Sequence, residues 1–276
     1  MSRISEKFTT LKNENRAGLI TFLVAGDPDL VTSQAILDGL SMAGADMIEI
    51  GIPFSDPMAD GPIIQASSLR ALIAGSSVSN TLKMVQIFRK KNTITPIILM
   101  GYYNPIYIYG VVKFCIEAKV SGVDGLIVVD LPPEEAEELI KPAKDQCVDL
   151  IFLATPTTDN IRLPLILEYT SGFIYYVSIT GVTGACSASI CDIADAVTSL
   201  RRYTTLPVAV GFGLKSSNQV MAVGKIADAA VVGSAIVQKL ADCLTVDNRP
   251  KSDLVKNVLH FVNELATNLQ LTVNLK

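Results

Sequence analysis

"MIEIGIPFSDPMADGP", residues 47 to 62, sets an isoleucine-rich apolar run around one carboxylate, Glu49, and follows it with a proline-rich turn carrying Asp56 and Asp60. The run has the length and composition of a buried strand, and Pro53 and Pro57 punctuate its end. Seven similar runs recur along the chain: "LITFLVAG" (19–26), "PIILMGYY" (96–103), "GLIVVDLP" (125–132), "DLIFLATP" (149–156), "GFIYYVSI" (172–179), "LPVAVGFG" (206–213) and "DAAVVGSA" (228–235). Helix-length segments fall between them, among them "IYGVVKFCIEAKVSG" (108–122), "EEAEELIKPAKDQ" (134–146) and "ICDIADAVTSLRRY" (190–203). Continuous apolar strands, rather than alternating ones, are expected where both faces of a sheet are covered, as in parallel βα units. Eight such units predict an α/β fold of the (β/α)8 TIM barrel type, with a doubly wound open sheet as the alternative. No linker, low-complexity tract or composition shift divides residues 1–276, so a single domain is expected, with an N-terminal capping segment and a C-terminal helix.

The 276 residues are 49% hydrophobic, enough for a large core. A net charge of −4 with scattered Lys and Arg offers no footprint for nucleic acid or an anionic membrane. The N-terminus "MSRISEKFTTLKNENRAG" is charged where a signal peptide is apolar, and no stretch has the uninterrupted apolar length of a membrane span, so a cytoplasmic location is expected. Five cysteines show no CxxC spacing and are expected to be reduced and mostly buried. The single histidine, His260, lies in the helical pattern "SDLVKNVLHFVNELATN" with no nucleophile motif, which reads as a surface histidine and excludes multi-histidine metal centres. No metal site is predicted.

In a barrel the site lies at the C-terminal ends of the strands. Run seven ends in "GFG" (211–213) and run eight in "GSA" (233–235), just before a helix. A lone glycine there is commonly a turn device; two in adjacent loops point to a phosphate cradle, where backbone approaches closely and a helix N-terminus offers free N–H groups. Ser234 could cap that helix and touch the anion. In "MIEIG", Met47 and Glu49 point opposite to Ile48 and Ile50, which sends Glu49 to the barrel interior or its rim. Apolar walls would raise its pKa and suit it to proton exchange, while a structural glutamate satisfied by backbone or lysine stays open from position alone. Asp60 precedes Gly61, so a turn former and a functional carboxylate both stay open.

The segments "AGDPD" (25–29), "GADMIEIGIPFSDPMADGPIIQ" (44–65), "YYNP" (102–105), "VDLPPEE" (129–135), "SITGVTGA" (178–185), "VGFG" (210–213) and "VVGSAIV" (231–237) together resemble the α subunit of tryptophan synthase, in order and over nearly the whole chain. That resemblance implies a lyase cleaving indole-3-glycerol phosphate by a retro-aldol reaction to indole and glyceraldehyde 3-phosphate. The chain would act with a β subunit, as an α2β2 assembly, in L-tryptophan biosynthesis. No cofactor is implied in this chain, pyridoxal phosphate being expected only on the β subunit. By motif, Glu49 becomes the acid/base group and Asp60 the carboxylate that steadies the indole N–H. Gly184, Phe212, Gly213, Gly233 and Ser234 become the phosphate site, and Phe22, Met100, Tyr102 and Tyr175 the indole walls. Thr183 belongs to the loop that closes over substrate and would orient Asp60 through its hydroxyl, and Asp56 and Pro132 belong to the β-subunit interface. Ile179 departs from the basic residue that many members carry after the serine of that loop. The alternatives are a stand-alone lyase that releases indole, an activator of the β subunit without its own catalysis, and a sugar-phosphate isomerase sharing only the phosphate site.

Overall fold

Valine, isoleucine and leucine crowd the strand positions, and the computed structural model, which describes residues 2–178, 189–211 and 213–270, pairs every strand in parallel. The strands are β1 (Gly18–Val24), β2 (Met47–Gly51), β3 (Ile97–Gly101), β4 (Gly125–Val128), β5 (Asp149–Leu150), β6 (Leu153–Ala154), β7 (Ile174–Val177), β8 (Val208–Gly211) and β9 (Ala229–Val232). Their order is β5-β4-β3-β2-β1-β9-β8-β7-β6. β5 and β6 are two pieces of one extended run: Ile151 N–H donates to the Leu126 carbonyl of β4 at 3.0 Å, and the Phe152 carbonyl accepts from Tyr175 N–H of β7 at 3.3 Å. The run therefore joins both ends of the sheet and closes the TIM barrel, its fifth strand split.

The helices are α1 (Arg3–Asn13), α2 (Leu30–Leu40), α3 (Pro62–Ile73), α4 (Val78–Arg89), α5 (Tyr103–Tyr109), α6 (Val111–Ser121), α7 (Glu137–Asp145), α8 (Arg162–Tyr169), α9 (Ile190–Leu200), α10 (Ser217–Gly224), α11 (Ser234–Asp242) and α12 (Leu254–Gln270). Polar caps start several of them: Asp29 accepts from Val31 and Thr32 N–H, and Ser189–Asp192 and Ser216–Gln219 form capping boxes. The single helix expected over 108–122 is instead two, because Gly110, at φ +94°, breaks the path between α5 and α6.

Strand parity divides the core in two. Ile48, Ile50, Ile97 and Leu99 face outward to the helices, whereas Phe22, Met47, Ile98, Met100, Tyr175 and Val231 face into the barrel. Ile4, Phe8 and Leu11 of α1 close the lower end of that inner core, with Phe8 and Phe173 rings 5.7 Å apart. Aspartates organise the same end. Asp46, Asp124 and Asp228, each just ahead of its strand, accept from the opening N–H groups of neighbouring strands at Leu19, Ile97 and Val208. Arg16 holds Asp46 through two 2.8 Å bonds, and Arg3 and Arg89 hold Asp124. Asp46 thus serves the floor of the barrel, far from the turn that carries Asp56 and Asp60. Among the described residues, Cys115 and Cys243 are buried but Cys147 and Cys191 are exposed, which corrects the expectation of mostly buried thiols. His260 sits on the surface of α12, 3.4 Å from Glu264. No helix among the described residues is long and apolar enough to cross a membrane.

Candidate active site

Three inward positions at the C-terminal mouth of the barrel lack side chains, which makes room for the aromatic rings that wall a chamber there. Gly51, Gly211 and Gly233 stand two residues beyond Glu49, Ala209 and Val231, so each points to the same interior. A Cβ at Gly51 would lie 2.7 Å from Phe22 Cζ, and one at Gly211 only 2.2 Å from the Tyr175 hydroxyl. Both aromatic rings occupy the room those glycines leave. The resulting cavity has about 550 Å³ of empty space, open solvent at its mouth included. Phe22, Met100 and Tyr175 give it apolar walls, and Glu49, Asp60, Gly213, Gly233 and Ser234 also line it.

Glu49 is 1% exposed, in register between Phe22 and Ile98, and its Oε1 is buried with no hydrogen-bond partner among the described residues. Desolvation by these apolar neighbours raises its pKa from 4.5 to about 8. A merely structural glutamate would have its oxygens met by donors; this one presents an unmet oxygen. Asp60 is half-buried on the loop between β2 and α3, and Gly61 and Pro62 then start α3. Burial raises its pKa to about 6, opposed by the Tyr102 hydroxyl, which donates to Asp60 Oδ2 at 3.0 Å. Two carboxyl groups thus share one chamber with different proton affinities, the arrangement that separates an acid from an ionised partner near neutral pH.

At the far wall Gly213 adopts φ +87°, a conformation that favours glycine, and α11 begins at Ser234 with its first N–H groups toward the chamber mouth. Gly233, not Ser234, occupies the N-cap position, and no side chain caps this helix. The expected capping role of Ser234 is corrected: as the first helical residue it leaves its hydroxyl free of that task. Thr183, Gly184 and Phe212, together with Ile179, lie outside the described residues.

Tyr102 takes a place apart from the other aromatic candidates. It does not line the main chamber but a smaller cavity beside it, with Phe22, Asp60 and Met100. Asp56 is exposed on the loop after β2, its carboxylate accepting from the Ser55 hydroxyl, and half-buried Pro132 precedes the 3-10 turn Pro133–Glu135 after β4. Both loops lie on the mouth side. Gly61, Ile64, Leu214 and Val231 also line the chamber and were not anticipated. Val231 was accessible by parity, two residues before Gly233. Ile64 was not, since the side of α3 that meets the mouth depends on how that helix packs.

The chain matches the family model "Tryptophan synthase alpha chain" over residues 8–270. It is 32% identical to the crystal structure of tryptophan synthase subunit alpha from Legionella pneumophila, with 98% of each chain covered and a TM-score of 0.88. Tryptophan synthase from Mycobacterium tuberculosis is 33% identical over 98% of each chain, TM-score 0.86, and a solved structure from Aquifex aeolicus is 36% identical over 98% of each, TM-score 0.84. The matched span takes in every strand of the barrel and both carboxylates of its mouth, and the chain belongs to the tryptophan synthase alpha chain family.

Proposed function

We propose that Glu49 and Asp60 carry the cleavage of indole-3-glycerol phosphate in this chamber. Family membership supplies the overall activity: the chain is a carbon–carbon lyase of tryptophan biosynthesis that forms indole and glyceraldehyde 3-phosphate. The observation that carries the residue assignment is Glu49 Oε1, buried and unmatched among apolar walls.

With a pKa raised to about 8, Glu49 rests protonated at neutral pH. It gives that proton to indole C3, which leaves positive character at the ring nitrogen. Asp60, ionised above about pH 6, faces the N–H and stabilises that charge. Glu49, now a carboxylate, takes the proton of the side-chain hydroxyl. The C3 to side-chain bond breaks, its electron pair returns to the indole ring, and the hydroxyl carbon becomes the aldehyde. The first proton stays on indole C3 and the hydroxyl proton restores Glu49 to its starting form, so one carboxyl serves both transfers. A rate profile bounded on the acid side near 6 and on the basic side near 8 follows.

Phe22, Met100 and Tyr175 hold the ring, and Gly213, Gly233 and Ser234 receive the phosphate, with Gly184 and Phe212 completing that site and Thr183 closing over it. Ser234→Ala removes one hydroxyl donor to a charged ligand, and the Kd of glycerol phosphate is expected to rise about tenfold with indole affinity unchanged. Gly233→Val is a poorer probe, because its Cβ would stand 3.3 Å from Phe22 Cβ and crowd the indole wall as well. Equal affinity of wild type and Ser234→Ala for glycerol phosphate, by calorimetry, would remove that hydroxyl from the site.

A β subunit docks over the mouth rim at Asp56 and Pro132 and receives indole there. Pyridoxal phosphate belongs to that subunit, and the cytoplasm is the expected compartment. The test is indole release from indole-3-glycerol phosphate by wild type, Asp60→Asn, Asp56→Ala and Pro132→Ala, each with and without added β subunit. Asp60→Asn is expected to fall at least about 10²-fold in both settings. The two rim variants are expected to keep basal turnover and lose part of the stimulation by β. Undiminished turnover of Asp60→Asn would overturn the catalytic assignment, and full stimulation of both rim variants would move the docking surface elsewhere.

A further inference from the structure

Tyr102 stands at the end of β3, and its hydroxyl makes two bonds to one loop. It accepts from Ala59 N–H at 3.0 Å and donates to Asp60 Oδ2 at 3.0 Å. The ring is 3% exposed and packs on Phe54 with centroids 5.3 Å apart, so the phenol is held from both ends. The loop it grips is otherwise open to solvent: Ser55, Asp56, Met58 and Ala59 are exposed, Met58 at 76%. Inside the loop only two short turns brace it, Met58 N–H to the Asp56 carbonyl and Asp60 N–H to the Pro57 carbonyl. Gln65 of α3 adds a bond to the Asp60 carbonyl at 2.8 Å but leaves the carboxylate untouched. Among the described residues, the one side chain bonded to the Asp60 carboxylate is therefore Tyr102.

We propose that Tyr102 is a positioning residue for the cleavage reaction, its phenol fixing the Asp60 carboxylate at the chamber wall through simultaneous bonds to the carboxylate and to the backbone beside it. This rests on the reading of Asp60 given above. A wall residue would present its ring to the chamber, and Tyr102 instead lines the smaller neighbouring cavity. The physical need is clear. An exposed loop samples many conformations, and a carboxylate that must meet a ring nitrogen loses rate steeply with small displacements. The second effect is on charge. A hydrogen bond donated to the ionised form favours it, and Tyr102 opposes the burial that raises Asp60 to about 6. The other titratable groups on the chamber are Glu49 from β2 and Tyr175 from β7; from α3, Gln65 brings only a neutral amide, and Asp130 beyond β4 acts on Tyr102 itself.

Tyr102→Phe keeps the ring against Phe54 and deletes both bonds. The expected result is a kcat lower by about tenfold, an apparent KM changed less than twofold, and the acid limb of kcat moved to higher pH, since Asp60 loses the donor that favours its charge. Installing 3-fluorotyrosine at position 102 keeps size and fold while making the phenol a stronger donor, and the acid limb is expected to move to lower pH. Unchanged kcat and acid limb in both proteins would overturn the proposal. So would a Tyr102→Phe variant that is only less stable, with turnover per folded molecule and pH profile retained. Should Tyr102→Phe not fold, the 3-fluorotyrosine protein alone decides by the direction of its limb. Asp60→Asn is the control for the underlying reading: if it turns over like wild type, Asp60 is not catalytic, whereas an inactive Asp60→Asn beside a normal Tyr102→Phe removes Tyr102 alone.

Discussion

Replacement of Glu49 by glutamine is expected to reduce cleavage at least about 10²- to 10⁴-fold, the usual range of general acid/base catalysis, while the protein gains stability relative to wild type as pH rises. The gain follows from the direction of the pKa shift. Glu49 goes from 4.5 to about 8 on folding, so between those values the folded chain holds a proton that the unfolded chain releases. Stability from this group is complete below pH 4.5 and is lost as pH climbs towards 8, at about 1.4 kcal/mol per pH unit, or on the order of 3–5 kcal/mol across the window. Glutamine does not titrate and shows no such loss. Measured from pH 5 to 8, the Tm of Glu49→Gln should therefore rise relative to wild type even as single-turnover cleavage collapses, with glycerol phosphate affinity retained. A glutamate kept for structure gives the opposite pattern, a variant less stable at every pH with turnover per folded molecule preserved. That pattern would remove Glu49 from the mechanism.

The second large effect concerns stability alone. Arg70 of α3 donates Nε and Nη2 to the two oxygens of Asp27 at 2.7 Å each, and the Ser67 hydroxyl bonds to the same carboxylate. Asp27 is 1% exposed. Arg70→Ala leaves this buried carboxylate without its cation, which commonly costs about 3–5 kcal/mol. The midpoint of urea unfolding should fall accordingly with little change in slope. The double variant Asp27→Asn/Arg70→Met, which removes both charges, is expected to recover much of the loss because no charge is then stranded. A loss below about 1 kcal/mol for Arg70→Ala, or a double variant worse than both single ones, would show that the pair does not anchor α3 as described. Neither side chain lines the chamber, so turnover per folded molecule should hold.

Local pattern carried much of this protein. Eight apolar runs with helical segments between them specify a parallel barrel because both faces of each strand are buried, and parity alone put Glu49 inside. The glycines at 213 and 233 were legible for the same reason: a strand end in a barrel has one destination, the mouth. The motif resemblance then singled out Asp60, which parity cannot place because it lies on a loop.

Other features depended on residues distant in sequence. The split of the fifth strand follows from its need to bond β4 on one side and β7 on the other, and the runs themselves carry no mark of it. Tyr102 shows the limit most plainly. Beside Tyr103 and before Pro105 it reads as one more aromatic at a strand end, suited to a ligand wall. Folding brings its hydroxyl within 3.0 Å of Ala59 N–H and of Asp60, 43 and 42 positions away, and makes it a brace instead. The sequence by itself determined the barrel and the inward carboxylate, because strand periodicity is a local property. Only the tertiary structure decided which donors meet Asp60, which oxygen of Glu49 goes unmatched and which glycines make room for the aromatic walls of the mouth, because burial and hydrogen bonding are settled by neighbours that the chain order does not reveal.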